Sequence, residues 1–216
     1  PITLKSNLSY NFRPPNFNEL YYLNFGNREL KPEKSISYTL GLEYWLDDIR
    51  ISLDGFLIQT DDQIISVPKN PVEWSAENIQ QVLSKGFEAN VFAKYFDDIM
   101  NINFSYTLQD VRDRSPGSDF FGNYLVYSPP ELLTATFFLD FKNVKCGAML
   151  NYSNFNFALP DNSINSLISD YLLIDLFFNY NFIFSSYNFM LSLSVRHIRN
   201  EQYQIILNYP MPRRSI

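Results

Sequence analysis

Met100-Asn101-Ile102-Asn103-Phe104-Ser105-Tyr106-Thr107-Leu108-Gln109 decides how this chain folds. Every second residue is apolar, and a polar residue stands between each pair. Side chains of a β-strand point to opposite sides in turn, so this segment carries one oily face and one polar face. The same period of two recurs on both sides of it. Ile36, Tyr38, Leu40, Leu42 and Tyr44 alternate with Ser37, Thr39, Gly41 and Glu43. Leu172, Ile174, Leu176, Phe178 and Tyr180 are set against Asp175, Asn179 and Asn181. Phe189, Leu191, Leu193 and Val195 alternate with Asn188, Ser192, Ser194 and Arg196.

The alternation predicts about nine strands, starting near Thr3, Ile36, Ile49, Val82, Ile99, Leu132, Val144, Asp170 and Tyr187. Their length of roughly ten residues is what a tilted strand needs to cross a bilayer, whereas globular strands run nearer to about five or six. The connections also alternate. Short turns are expected at Asp47-Asp48, Asp97-Asp98, Lys142-Asn143 and Ser185-Ser186, and long polar loops over 13–35, 60–80, 110–130 and 155–169. Short turns at one end and long loops at the other are the pattern of an outer-membrane barrel. A large soluble antiparallel sheet or a lipocalin-like barrel would also alternate, with its apolar face turned inward. Strand length and loop asymmetry favour the membrane. The expected fold is therefore all-β: an antiparallel transmembrane β-barrel, with residues 1–216 as one unit supplying about nine strands of a larger closed sheet.

Composition agrees. Of 216 residues, 15 are Tyr, 20 are Phe and only 7 are Gly, and the aromatic share of 17% suits the girdles that barrels place at both membrane interfaces. Mean hydropathy is −0.18 and no run of 18 apolar residues occurs, so no helix is long and apolar enough to cross a membrane. A barrel needs only alternate residues to be apolar. The net charge of −6 argues against non-specific nucleic-acid binding. Cys146 is the single cysteine, which excludes an intramolecular disulfide, and with His197 as the single histidine no zinc site of His and Cys ligands can be assembled within the chain. Cys146 falls on the apolar face with Val144, Ala148 and Leu150, as a small hydrophobe toward lipid. There is no Gly-x-Ser-x-Gly, no His-Glu-x-x-His and no Gly-rich phosphate loop. Neither catalysis, a metal site nor a cofactor is expected.

Phe12-Arg13-Pro14-Pro15-Asn16-Phe17-Asn18-Glu19-Leu20-Tyr21, followed by Leu30-Lys31-Pro32-Glu33-Lys34-Ser35 and a strand containing Gly41-Leu42-Glu43, resembles the barrel of TonB-dependent receptors. Further similar motifs follow in the family's order: Glu77-Asn78-Ile79, Gly86-Phe87-Glu88, Ser105-Tyr106-Thr107-Leu108 and Tyr209-Pro210-Met211-Pro212-Arg213. Each is weak alone, and the ordered set is strong. Arg213 stands where the family has Gly, and Arg196-His197-Ile198-Arg199 replaces a common Asn-Leu-Phe-Asp. The resemblance implies a C-terminal part of the barrel, with the plug domain, the TonB-contacting segment and the last strand expected outside this sequence. It also implies function. A Gram-negative outer-membrane receptor would take up a siderophore, cobalamin, haem or similar metal chelate with energy from the TonB complex, its partners being outer-membrane lipid, TonB and the ligand. The alternatives are a passive porin and, from another class, a barrel enzyme or adhesin.

Two sets of residues are candidates for that work. Glu43, Arg50, Asp54, Glu88, Lys94 and Asp175 fall on the polar face of their strands, where the lumen and a plug would meet them. The bland reading is a hydrated wall with local ion pairs worth about 0–1 kcal/mol each. Tyr21, Tyr22, Phe25, Phe120, Tyr124, Phe155 and Phe157, with Arg28 and Arg213, fall in the long loops or tail, where rings can stack on a ligand and Arg can meet an anion. The bland reading is loop packing or an outer girdle. Arg13, Pro14, Pro15 and Lys31-Pro32-Glu33 are expected to fix where the chain leaves one strand and starts the next.

Overall fold

The computed structural model of the chain describes residues 1–70 and 73–215. Its elements are β1 (Ile2–Arg13), α1 (Phe17–Tyr21), β2 (Glu33–Leu46), β3 (Ile49–Pro68), β4 (Trp74–Tyr95), β5 (Met100–Asp113), β6 (Glu131–Phe141), β7 (Val144–Ser153), β8 (Asn156–Phe157), β9 (Leu167–Ile168), β10 (Tyr171–Phe184), β11 (Tyr187–Val195), β12 (Gln204–Ile206) and β13 (Tyr209–Pro210). Nine of them form one antiparallel sheet in the order β1-β2-β3-β4-β5-β6-β7-β10-β11. The sheet is open, with β1 and β11 at its two edges. Past the end of β11, Arg196 makes an isolated antiparallel bridge to Ser215 of the tail.

Residues paired across an antiparallel ladder share a face. One row runs Leu4, Leu42, Leu53, Ala89, Tyr106, Leu133, Tyr152, Leu172, and the next runs Ile2, Tyr44, Ile51, Val91, Phe104, Ala135, Leu150, Ile174. Both are apolar or aromatic throughout. The matching row on the other face is Thr3, Glu43, Ser52, Asn90, Ser105, Thr134, Asn151. Exposure decides which face is outside. In β2, Leu40 is 60% and Leu42 51% exposed, while the intervening Gly41 and Glu43 are buried, Glu43 to 4%. That is a soluble sheet turned inside out. An apolar surface of this extent marks a membrane or protein contact, and the alternative with a dry apolar interior fails here.

The outward apolar belt has clear limits. At its outer end it gives way to Lys34, Gln59, Lys85, Asp110, Glu131, Asn154 and Asp170. At its inner end lie the tight turns at Asp47, Asp97, Lys142 and Ser185, each with left-handed backbone. Between these limits each strand contributes roughly ten residues, enough for a tilted strand to span the hydrocarbon. Neighbouring hairpins are bonded at the inner end, through Lys94 N–H to Asp48, Asp140 N–H to Ile99 and Asn181 N–H to Asn143.

The long connections gather at the opposite end, as expected, yet one is not a loop. Residues 60–80 were expected to be loop; instead β3 runs on to Pro68 and β4 begins at Trp74, with residues 71 and 72 outside the described residues. The polar run Asp61-Asp62-Gln63 hides an extended hairpin whose two sides are both covered. Ile64 and Ala76 pack with Leu30, Leu20 and Phe25 from the 13–35 loop. Ile65 and Ile79 pack with Val82, Val111 and Leu125, the last from the following loop. Likewise β5 extends to Asp113, into the 110–130 loop, and the tail holds the small β12-β13 ladder.

On the inward face Gly147 lies directly between Phe138 and Phe177. A Cβ there would stand 2.7 Å from the Cβ of Phe138 and 2.8 Å from Phe177. Gly147→Val in the full-length barrel is expected to lower stability by about 1–3 kcal/mol. The folded electrophoretic band should then disappear at a lower temperature than in the parent, and an unchanged transition would contradict the packing.

Candidate functional site

Register brings all six inward-charge candidates to one face. Trp45, Arg50, Phe92, Asn103, Thr136, Met149 and Asp175 form one row, and Lys5, Gly41, Asp54, Glu88 and Thr107 another. Glu43 is the best buried. It is held between Lys5, an ion pair, and Arg50 at 3.1 Å, and Arg50 in turn lies over the Trp45 ring at 4.9 Å. Lys94 pairs with Asp98 at 2.9 Å at the inner turn, and Asp175 accepts the His197 N–H at 2.7 Å. Asp54 and Glu88 face one another across β3 and β4, with Asp54 laid against the bare Gly41. Like charges in that relation destabilise a ladder. Among the described residues no cation forms an ion pair with either.

At the outer rim, the last residue pair of the β1-β2 ladder, Arg13 and Glu33, builds a network that sequence reading treated only as strand punctuation. Arg13 Nε and Nη2 donate to the two Glu33 oxygens at 2.6 and 2.9 Å, and Nη1 donates to Glu19 at 3.0 and 3.1 Å. Glu19 also closes a capping box on α1: its carboxylate accepts the Asn16 N–H, and its own N–H donates to the Asn16 side chain. Glu33 takes the Ile64 N–H at 2.6 Å, which ties the tall β3-β4 hairpin to the same node. Burial alone would raise the Glu33 carboxyl, but the Arg13 and Ile64 bonds override it and hold it below the usual range. The signal for this node was present in the spacing of the Phe-Arg-x-Pro, Glu-Leu-Tyr and Lys-Pro-Glu motifs, though the contact itself joins residues far apart in sequence.

The loop candidates fall into separate groups. Tyr124, Phe155 and Phe157 form a ring triad with centroids 5.8–6.2 Å apart, and Arg112, itself bonded to Asp110 at 2.6 Å, lies 4.1 Å from the Tyr124 ring. Arg112 pairs across from Tyr124 and stands on the outward side with Asp110 and Lys85. Phe25 is half-buried in the Leu30 cluster. Tyr21 and Tyr22 are exposed, with Arg28 over the Tyr21 ring at 5.3 Å. Tyr22 and Phe25 line an open cleft of about 450 Å³ with Asn18, Leu23, Glu73 and Trp74. Phe120 lies in the turn after Ser118, and Arg213 is exposed in the tail.

Comparison with known proteins bears on this arrangement. Residues 1–198 match the family described as TonB dependent receptor-like, beta-barrel. The vitamin B12 transporter BtuB of Vibrio vulnificus is 31% identical over 108 residues, which is 50% of this chain and 17% of that protein. Among solved structures, the siderophore receptor PiuA of Acinetobacter baumannii superposes with a TM-score of 0.77 at 17% identity, over 99% of this chain and 32% of its own. The copper transporter OprC gives 0.74 at 17% identity, over 99% and 36%. The chain thus spans about a sixth of its curated relative's length and about a third of the solved barrels.

Arg13→Lys removes the two-pronged bond to Glu33 and is expected to cost about 1–3 kcal/mol. Limited proteolysis should then cut the 13–35 loop faster. Because the Glu33 carboxyl titrates lower in the folded state, its contribution is complete above the free carboxyl value of roughly 4.3 and is lost as pH falls through the lower one. Protection of the loop should therefore weaken on acidification in the parent, and less so in the variant. A loop equally protected in both at neutral pH would remove the network's role.

Proposed function

The chain belongs to the TonB-dependent receptors, and from that premise we propose that the protein imports a scarce nutrient across the outer membrane, on energy delivered through TonB to a plug inside the barrel. Its place is the outer membrane, with lipid against the apolar belt. The nine strands are proposed to be the C-terminal part of a larger barrel. The substrate class is a metal chelate such as a siderophore, cobalamin or haem. Support comes from relatives named for vitamin B12, siderophore and copper transport. None of those relatives is named as a porin or an enzyme.

The observation that carries this reading is the inward charged face. Asp54 and Glu88 stand opposed, with no ion pair to either among the described residues, beside a doubly paired Glu43. A plug seated against this wall would supply the missing cations: basic groups on it would relieve the like-charge contact. Exposed Tyr21 and Tyr22, with Arg28, are the leading candidates for first contact with ligand at the outer end, followed by Phe25 in the cleft beside them. The Tyr124–Phe155–Phe157 triad, Phe120 and Arg213 are secondary candidates.

Uptake by cells carrying the full-length protein should be measured for cyanocobalamin, haem and several ferric siderophores, with and without a protonophore. One of them is expected to accumulate only in energised cells. Tyr21→Ala combined with Tyr22→Ala should weaken its binding about tenfold or more, in line with about 1–3 kcal/mol for lost stacking. Equal accumulation in de-energised cells would turn the reading to a passive channel.

A further inference from the structure

The polar face divides into two kinds of surface, although a period of two demands only that it be polar. On β1–β4 it carries Lys5, Glu43, Arg50, Asp54, Glu88 and Lys94. On β5–β7, between Asp113 at the outer end and the Asp140–Lys145 pair (3.3 Å) at the inner end, this face has no charged side chain among the described residues. Its polar groups there are amides and hydroxyls, among them Asn103, Ser105, Thr107, Thr134, Thr136 and Asn151. Charge returns at Asp175 on β10. The neutral strip is three strands wide, about 10 Å between its outer strands. A groove of about 410 Å³ opens along its border with the charged sector, where Arg50, Ser52 and Asn90 face Asn103, Ser105 and Thr134.

These surfaces suit different contacts. A carboxylate facing a counter-charge forms a strong, directed bond, and parting the pair leaves an unpaired charge behind. Amides and hydroxyls trade a protein partner for water at small net gain or loss. A solute that has to keep moving needs many weak, interchangeable contacts and no deep well.

We infer that the β1–β4 sector is where the plug stays attached, and that the β5–β7 strip is the side of the lumen along which the nutrient passes. This rests on the import reading, since it assigns a route within that mechanism. Of the wall these nine strands form, the strip holds the plug least, so the pull opens a gap there and the solute slides along its hydroxyls and amides.

The ladder supplies a depth-matched test. Thr3, Glu43, Ser52, Asn90, Ser105, Thr134 and Asn151 stand in one row across β1 to β7, so Thr3 and the strip positions differ in sector and not in height. In the full-length receptor with Cys146→Ser, the single changes Thr3→Cys, Ser105→Cys, Thr134→Cys and Asn151→Cys are exposed on intact cells to a membrane-impermeant maleimide. A mixture of cyanocobalamin, haemin and ferric siderophores is present, with or without a protonophore. The three strip positions should label about tenfold faster in energised cells, while Thr3→Cys stays slow in both, because only an opened population exposes the strip. Energy-dependent labelling that favours Thr3→Cys, or is equal across the row, overturns the sector assignment and leaves import standing. Labelling that ignores the protonophore at every position overturns the route and the import reading together.

Discussion

In hydrocarbon no water is available to a bare backbone amide, so every N–H and C=O at that depth must find its partner in the neighbouring strand. The rest of this structure depends on that requirement. It enforces strands long enough to cross, ladders without interruption from β1 through β11, and tight turns at the inner end so that each strand meets the next in register. Once the ladders are fixed, the pleat alone sends Leu42 outward and Glu43 inward. The side chains then only have to match the medium on their own side. A soluble sheet solves the opposite problem with the same backbone, and the burial of Glu43 beside exposed Leu40 and Leu42 tells the two apart.

For that reason most of the spanning region was legible in the sequence. The alternation from Met100 to Gln109 is a direct image of the pleat, and the aspartates at 47 and 97 stand where left-handed backbone is required. Above the membrane the rule lapses. Water and protein both satisfy backbone there, and the period no longer reports one face against another. The β3-β4 hairpin was read as loop because Asp61, Asp62 and Gln63 interrupt the pattern. Its two sides are covered by different loops, so Ile64 and Ile65 are both packed although they are adjacent in sequence.

The candidate site divides along the same line. That Glu43, Arg50, Asp54, Glu88, Lys94 and Asp175 share a face follows from parity within each strand and the pairing between them. Which of them are paired with each other does not, since it depends on register across strands: Glu43 reaches both Lys5 and Arg50, while Asp54 is left opposite Glu88. In the loops, aromatic residues looked alike on paper. Long-range contact separates them, leaving Tyr21 and Tyr22 open, drawing Phe25 into the Leu30 cluster and gathering Tyr124 with Phe155 and Phe157. The Arg13–Glu19–Glu33 node was visible only as a recurring arrangement of motifs, since the bonds that give those motifs their purpose close over a loop.

The backbone bonds that stitch each inner turn to the next hairpin, at Asp48, Ile99 and Asn143, have a geometric consequence. They lock the stagger between successive strands, and in a closed sheet stagger and strand number together set the girth. A wall whose strands cannot slip past one another keeps a constant cross-section, much as a hooped cask does. Widening it would mean breaking ladder bonds where nothing replaces them. Such a wall is a rigid sleeve.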